Sequence, residues 1–93
     1  MIKTFRGRDT ERIFKRERVK RFPLQLQKVV QRKLDLLDGA DFIEDLRTPP
    51  GNRLEKLSGY RQGQYSIRVN EQWRICFRWN SGQATEVEMV DYH

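Results

Sequence analysis

Apolar and polar residues alternate almost without fault between residues 64 and 79. Tyr65, Ile67 and Val69 alternate with Ser66, Arg68 and Asn70; Trp73, Ile75, Phe77 and Trp79 alternate with Arg74, Cys76 and Arg78. Side chains of a strand point to opposite faces with period two, so each run predicts a strand with one apolar face. The second run carries cations on its other face, which is expected to stand free to meet something negative. A third strand is expected in TEVEMVDYH, residues 85–93, and a weaker one over residues 54–58. Asn70-Glu71-Gln72 and Asn80-Ser81-Gly82 are short connections, and short connections between strands give antiparallel hairpins, here a meander. Residues 59–63, bracketed by Gly59 and Gly63, read as a loop.

Upstream the period changes from 2 to 3.6. Leu26, Val30, Leu34 and Leu37 share one face of an amphipathic helix over residues 23–38, with Pro23 in its first turn and Gly39 closing it. Asp9 is a candidate N-cap for a shorter helix carrying Ile13 and Phe14. Asp41 and Glu44 have capping-box spacing and open a further helical stretch through Leu46. Thr48-Pro49-Pro50-Gly51-Asn52 is expected to stop all helix. Residues 1–5, MIKTF, read as an edge strand. Neither half can bury its apolar face alone, so the chain is expected to be one domain over residues 1–93. Its class is α+β, with two N-terminal helices packed on one face of an antiparallel sheet.

Charge narrows the function. Lys and Arg number 19 against 13 Asp and Glu, a net charge of +6, and most of the cations are arginines. The guanidinium fork matches phosphate geometry, which points to nucleic acid as a partner, with an acidic protein or plain solubility as the alternatives. A single cysteine makes no internal disulfide and suits a reducing compartment. There is no span of membrane-crossing length and no signal-peptide pattern, so the expected location is cytoplasmic. No phosphate-binding loop, dinucleotide fingerprint or nucleophile elbow is present, and one Cys and one His make no metal cluster.

The strand-half cations and the run Asp91-Tyr92-His93 remain. That set is suited to RNA cleavage, because RNA carries its own nucleophile, the 2′-hydroxyl. A protein need only move two protons and stabilise the crowded phosphate.

The run NRLEKLSGYRQGQYSIRVNEQWRICFRW, together with the terminal VEMVDYH, resembles HigB-type toxins of the RelE/ParE toxin–antitoxin superfamily. The resemblance extends over the LRTPPGNRLEKL passage and the opening MIKTF. It implies a RelE-like fold and a ribosome-dependent mRNA endonuclease that acts in the A site without metal or other cofactor and inhibits translation and growth. It also implies a helix-turn-helix antitoxin of HigA type, assembled with the toxin in a hetero-oligomer. By the same resemblance Arg74 holds the scissile phosphate, and Asp91 and His93 transfer protons. Arg53, Lys56, Arg61, Arg68, Asn70 and Tyr92 are implied to bind RNA. Asn70 departs from the pattern, since some members carry an arginine there, and Arg68 stands two residues earlier as a substitute. The ParE branch supplies the alternative, a non-catalytic inhibitor of gyrase; the terminal Asp-Tyr-His favours the enzyme.

Plainer readings accompany these. Arg74 could simply pair with Glu86 or Glu88 on the next strand. Tyr92 is as well suited to packing as to base stacking, and Cys76 reads as a small, partly buried residue rather than a nucleophile. Period two also puts Asp91 and His93 on the side of Val87 and Met89. Reaching the rim then needs either a bulge near Val90 or a strand end that runs past the core.

Overall fold

The alternating runs form the sheet that the pattern predicts. A computed structural model describes residues 1–92. Its helices are α1 (Arg8–Phe14) and α2 (Leu24–Gly39), and its strands are β1 (Glu55–Lys56), β2 (Gln64–Arg68), β3 (Trp73–Asn80) and β4 (Gln83–Asp91). The strands lie in the order β1-β2-β3-β4 and every neighbour is antiparallel. No helix among the described residues is long and apolar enough to cross a membrane.

The core lies between the helices and one face of the sheet. Val30, Leu34 and Leu37 of α2 and Ile13 of α1 meet Ile67, Ile75, Phe77 and Val87, all of them fully buried. Aromatic rings lock the sheet side of this layer: Phe22 meets Trp73 edge-on at 5.5 Å, and Phe77 meets Trp79 edge-on at 6.4 Å. Gln27 is the polar exception on α2. Its amide donates to the Glu17 carbonyl, and its oxygen accepts from the Val19 amide and from Arg18, so it ties the α1–α2 connection to the helix.

Several local expectations shift. The α1 N-cap is Gly7, with Asp9 in the first turn, where its carboxylate faces the helix dipole and pairs with Arg21. The capping interaction after α2 falls one residue later than the spacing suggests: Asp45, not Glu44, accepts from the Asp41 and Phe42 amides. It opens a 3-10 helix over Ile43–Arg47. The proline pair does not end all helix, because Pro50–Asn52 is a further 3-10 turn. The strand expected over residues 54–58 pairs only at Glu55 and Lys56. Residues 1–5 do reach the sheet. Ile2 bridges Ala84 and Phe5 bridges Val87, both parallel, so this segment covers the outer edge of β4.

A bulge in β4 sets which side chains face the core. Cys76 pairs with Glu88 but Arg78 pairs with Thr85, so β4 holds one extra residue opposite Phe77. Glu86 takes up the excess in a left-handed conformation, φ 52°, with its amide donating to the Thr4 hydroxyl. Ala84 and Val87 are therefore both buried although three residues apart. The irregularity is at Glu86, not near Val90. Past it the alternation runs on undisturbed to Asp91, which pairs with Trp73 at the very end of the sheet and is exposed. The strand end runs past the core, the second of the two alternatives.

Asn52 holds together the segment that leads into β1. It is fully buried, its amide donates to the carbonyls of Leu46 and Thr48, and its oxygen accepts from Lys33 of α2. Burial and the nearby Arg32 charge lower the pKa of Lys33. Replacing Asn52 with alanine strands two carbonyls and an ammonium. The expected cost is about 1–3 kcal/mol, read as a lower urea midpoint at unchanged slope.

Candidate phosphate site

The face of the sheet turned away from the helices is not the free cationic surface that the alternation suggests. Gln64, Ser66, Arg74 and Cys76 project from it, and all four are buried. The Arg61 side chain and the Arg53 carbonyl lie against them. Arg61 donates to Gln64 Oε1 and to Glu88 Oε1, each at 3.0 Å. Gln64 belongs to β2 and Glu88 to β4, so the Arg61 side chain spans β3 above Cys76. Arg6 approaches the same carboxylate at 3.4 Å. Arg78 pairs with Glu86 at 2.8 Å. Much of the expected cationic face is thus neutralised by the acids of β4.

Arg74 is arranged differently. Only 7% of it is exposed. It pairs with neither Glu86 nor Glu88, which are taken by Arg78 and by Arg61 with Arg6. Its Nε donates to Ser66 Oγ at 2.8 Å, and its Nη2 donates to the Arg53 carbonyl at 2.7 Å and to the Ser66 carbonyl at 3.4 Å. These acceptors are neutral. The nearest carboxylate, Glu55, is half-exposed and 3.9 Å away. Across the ladder Arg74 faces another arginine, Arg68, which makes no ion pair among the described residues. Like charges directly opposite one another on a sheet repel. The Tyr92 ring, 40% exposed, has its centroid 5.8 Å from the Arg74 guanidinium carbon.

The other expected site residues divide between two faces and a turn. Arg61, Arg68, Arg74 and Tyr92 share the face away from the helices, with Arg53 contributing its carbonyl beneath Arg74. Lys56 pairs with Tyr65 and so shares that residue's helix-side parity, opposite to Arg74. Asp91, level with Trp73, also has helix-side parity, and its Oδ2 accepts from Gln72 Nε2 at 3.1 Å. Arg74 and Asp91 are nonetheless close along the sheet, because Arg74–Val90 and Trp73–Asp91 are consecutive pairs. The Asn70 side chain turns inward on the β2–β3 connection. Its Oδ1 accepts from the amides of Gln72 and Trp73, so it shapes the turn that delivers Arg74. His93 lies outside the described residues.

Three residues of this face drew no functional reading from the sequence: Ser66, Glu55 and Glu88. The signal for Ser66 was its place among large residues. A small hydroxyl inside an otherwise bulky strand, on the same face as the arginines, is the acceptor a buried guanidinium requires.

Comparison with known proteins agrees with this fold. Residues 3–93 match the family model described as the RelE-like toxin of type II toxin–antitoxin system HigB. Toxin HigB-1 of Vibrio cholerae is 48% identical over 62 residues, 67% of this chain and 65% of that protein, so the match spans just under two thirds of its length. Endoribonuclease HigB of Proteus vulgaris is 31% identical over 93 residues, the whole of both chains. In structure, the chain is similar to a subunit of the heterotetrameric YoeB–YefM toxin–antitoxin complex of Staphylococcus aureus. The TM-score is 0.63 at 16% identity, covering 100% of this chain and 98% of that one, a likeness of fold.

Cys76 lies fully buried beneath Arg61, and burial raises its thiol pKa; Glu88 adds to the rise, while Arg61 and Arg74 oppose it. A raised pKa leaves less thiolate at any given pH. Iodoacetamide labelling of the folded protein is therefore expected to stay slow between pH 7 and 9, and to become fast only in denaturant. Rapid labelling of the native protein would show that the Arg61–Glu88 cover opens.

Proposed function

Since this chain belongs to the RelE-like HigB toxins of type II toxin–antitoxin systems, we propose that it is an endoribonuclease that cuts mRNA on the ribosome, in the A site, and so arrests translation and growth. One observation carries the phosphate half of this reading. Arg74 and Arg68 face each other across the ladder, and Arg74 is oriented by neutral acceptors rather than by a carboxylate. Two such charges repel one another and are relieved by an anion placed between them, which a phosphate supplies.

The chemistry follows from the strand register. A phosphate against Arg74 lies beside Val90, one pair from Asp91. The 2′-oxygen of the preceding ribose attacks phosphorus and loses its proton to a base, and the 5′-oxygen leaves with a proton from an acid. The products are a 2′,3′-cyclic phosphate and a 5′-hydroxyl. Asp91 and His93 are the proposed proton carriers. Gln72, whose amide holds the Asp91 carboxylate, fixes one of them in place. Arg74 stabilises the charge that builds on the non-bridging oxygens. Arg61, Arg68 and Arg53 track the backbone on either side, Tyr92 offers a face for a base, and Lys56 meets the strand from the opposite rim. The proposed partner is a helix-turn-helix antitoxin of HigA type that holds the toxin in a hetero-oligomer, and a ribosomal substrate places the protein in the cytoplasm.

Arg74→Ala is expected to lower cleavage of ribosome-bound mRNA by about 10²–10³-fold, the scale of losing one oxyanion donor. Because Arg74 is buried, the same change strands the Ser66 and Arg53 acceptors, so the variant should also melt lower and must be assayed below its transition. Arg74→Lys should restore only part of the rate, as an ammonium cannot fill both the cradle and the phosphate contact. A folded Arg74→Ala protein with full activity would sink the assignment. Gyrase inhibition without RNA cleavage would instead move the chain to the non-catalytic reading.

Free RNA provides a separate check. With so few proton-transfer groups, the protein relies on the ribosome to hold the strand in line, and positioning of that kind can contribute on the order of 7–11 kcal/mol. Primer extension should show cuts in ribosome-bound mRNA and next to none in the same transcript without ribosomes.

A further inference from the structure

A guanidinium has five N–H donors in a fixed plane, and two of its edges can each grip a partner. In Arg74 one edge is already full. Nε and Nη2 are committed to Ser66 Oγ, the Arg53 carbonyl and the Ser66 carbonyl, while Nη1 has no hydrogen-bond partner among the described residues. The cradle is built from rigid parts. Ser66 is fully buried in the middle of β2. Arg53 sits in the left-handed region, φ 44° and ψ 57°, just after the turn that the buried Asn52 ties to α2. Both cradle groups are neutral. A carboxylate in the same place would fix the arginine as well, but it would cancel the charge that the phosphate is to meet.

Resting on the phosphate reading above, we propose that Ser66 is a positioning residue for catalysis, which with the Arg53 carbonyl locks the plane of Arg74 so that Nη1 alone is presented to the scissile phosphate. A free arginine would have to give up its rotamer freedom on each encounter with the transition state; the cradle removes that freedom beforehand. The contribution of Ser66 therefore falls on turnover rather than on RNA binding. It also assigns Arg53 two separable parts. Its carbonyl belongs to the cradle, and its side chain belongs to the RNA surface.

The test is a double-mutant cycle of Ser66→Ala and Arg74→Ala, with kcat and KM measured on ribosome-bound mRNA and thermal melts recorded alongside. Ser66→Ala is expected to lower kcat about tenfold or more, the scale of one hydrogen bond to a charged group, with KM within about twofold of the parent. The double variant should be no slower than Arg74→Ala alone, because a residue that acts through Arg74 has nothing to position once it is gone. Ser66→Thr, which keeps the hydroxyl, should recover part of the rate. Should Ser66→Ala fail to fold, the side-chain Nε–H resonance of Arg74 in the parent decides the matter: a signal protected from solvent exchange supports the cradle, and its absence overturns it. Parent-like kcat in a folded Ser66→Ala protein, with Arg74→Ala inactive, overturns the inference and leaves the phosphate reading standing. Losses that multiply in the double variant also overturn it, since Ser66 would then act elsewhere. Full activity in both single variants sinks the phosphate reading itself.

Discussion

The fold depends on the cost of placing a charge inside a sheet. Arg74 is almost wholly enclosed, and a buried guanidinium is tolerated only where its donors find acceptors. Ser66 on the neighbouring strand supplies one, and the backbone at Arg53 supplies another. Arg53 reaches its place because Asn52 pins the preceding turn to α2, with Lys33 closing the contact. A helix on one side of the molecule thus helps to orient an arginine on the other, through one buried asparagine and one carbonyl. The left-handed backbone at Arg53 and the burial of Asn52 make sense as parts of this arrangement; neither has an evident purpose in a simple helix-on-sheet sandwich.

The remaining cations obey a different rule. Arg61 and Arg6 share Glu88, and Arg78 has Glu86, so these arginines cover the sheet and cancel charge as they do so. Arg68 and Arg74 stay without a close carboxylate, except for Glu55 at the outer limit of contact. A net charge of +6 is therefore a poor guide to where an anion would bind. The informative quantity is local: two arginines opposed across a ladder, one of them already held by uncharged groups.

How much of this could be read from the sequence depended on whether a feature repeats. Helix α2 and strands β2 to β4 repeat their apolar positions over many residues, so period alone identified them within a residue or two of their ends. Strand β1, the Asp45 cap and the turn at Pro50–Asn52 are single events fixed by tertiary closure: local spacing drew β1 too long, placed the cap one residue early and missed the turn. The β4 bulge rests on a glutamate with positive φ, a residue type with no special preference for that conformation, so nothing in the sequence marked it. The candidate site divides likewise. Its cations were legible as the polar half of an alternation, whereas burial of that half was not, because it comes from tertiary contacts of the Arg61 side chain and the Arg53 carbonyl. Asn70, singled out as an RNA contact, has its side-chain oxygen spent on its own turn, a local use that the residue type favours.

The segment at residues 1–6 has a bearing on how the molecule is made. Its amides and carbonyls interleave with those of residues 82–87, and the contact from Met1 to Gly82 spans 81 positions of sequence. Closing so long a loop is repaid only once β4 is in place, so this contact is expected to form after the strands it joins. Until β4 docks, β3 is unpaired on one edge, and Val90 and Asp91 have not taken their places beside Arg74 and Trp73. Any site built on Arg74 and Asp91 is therefore completed only with the last strand of the sheet.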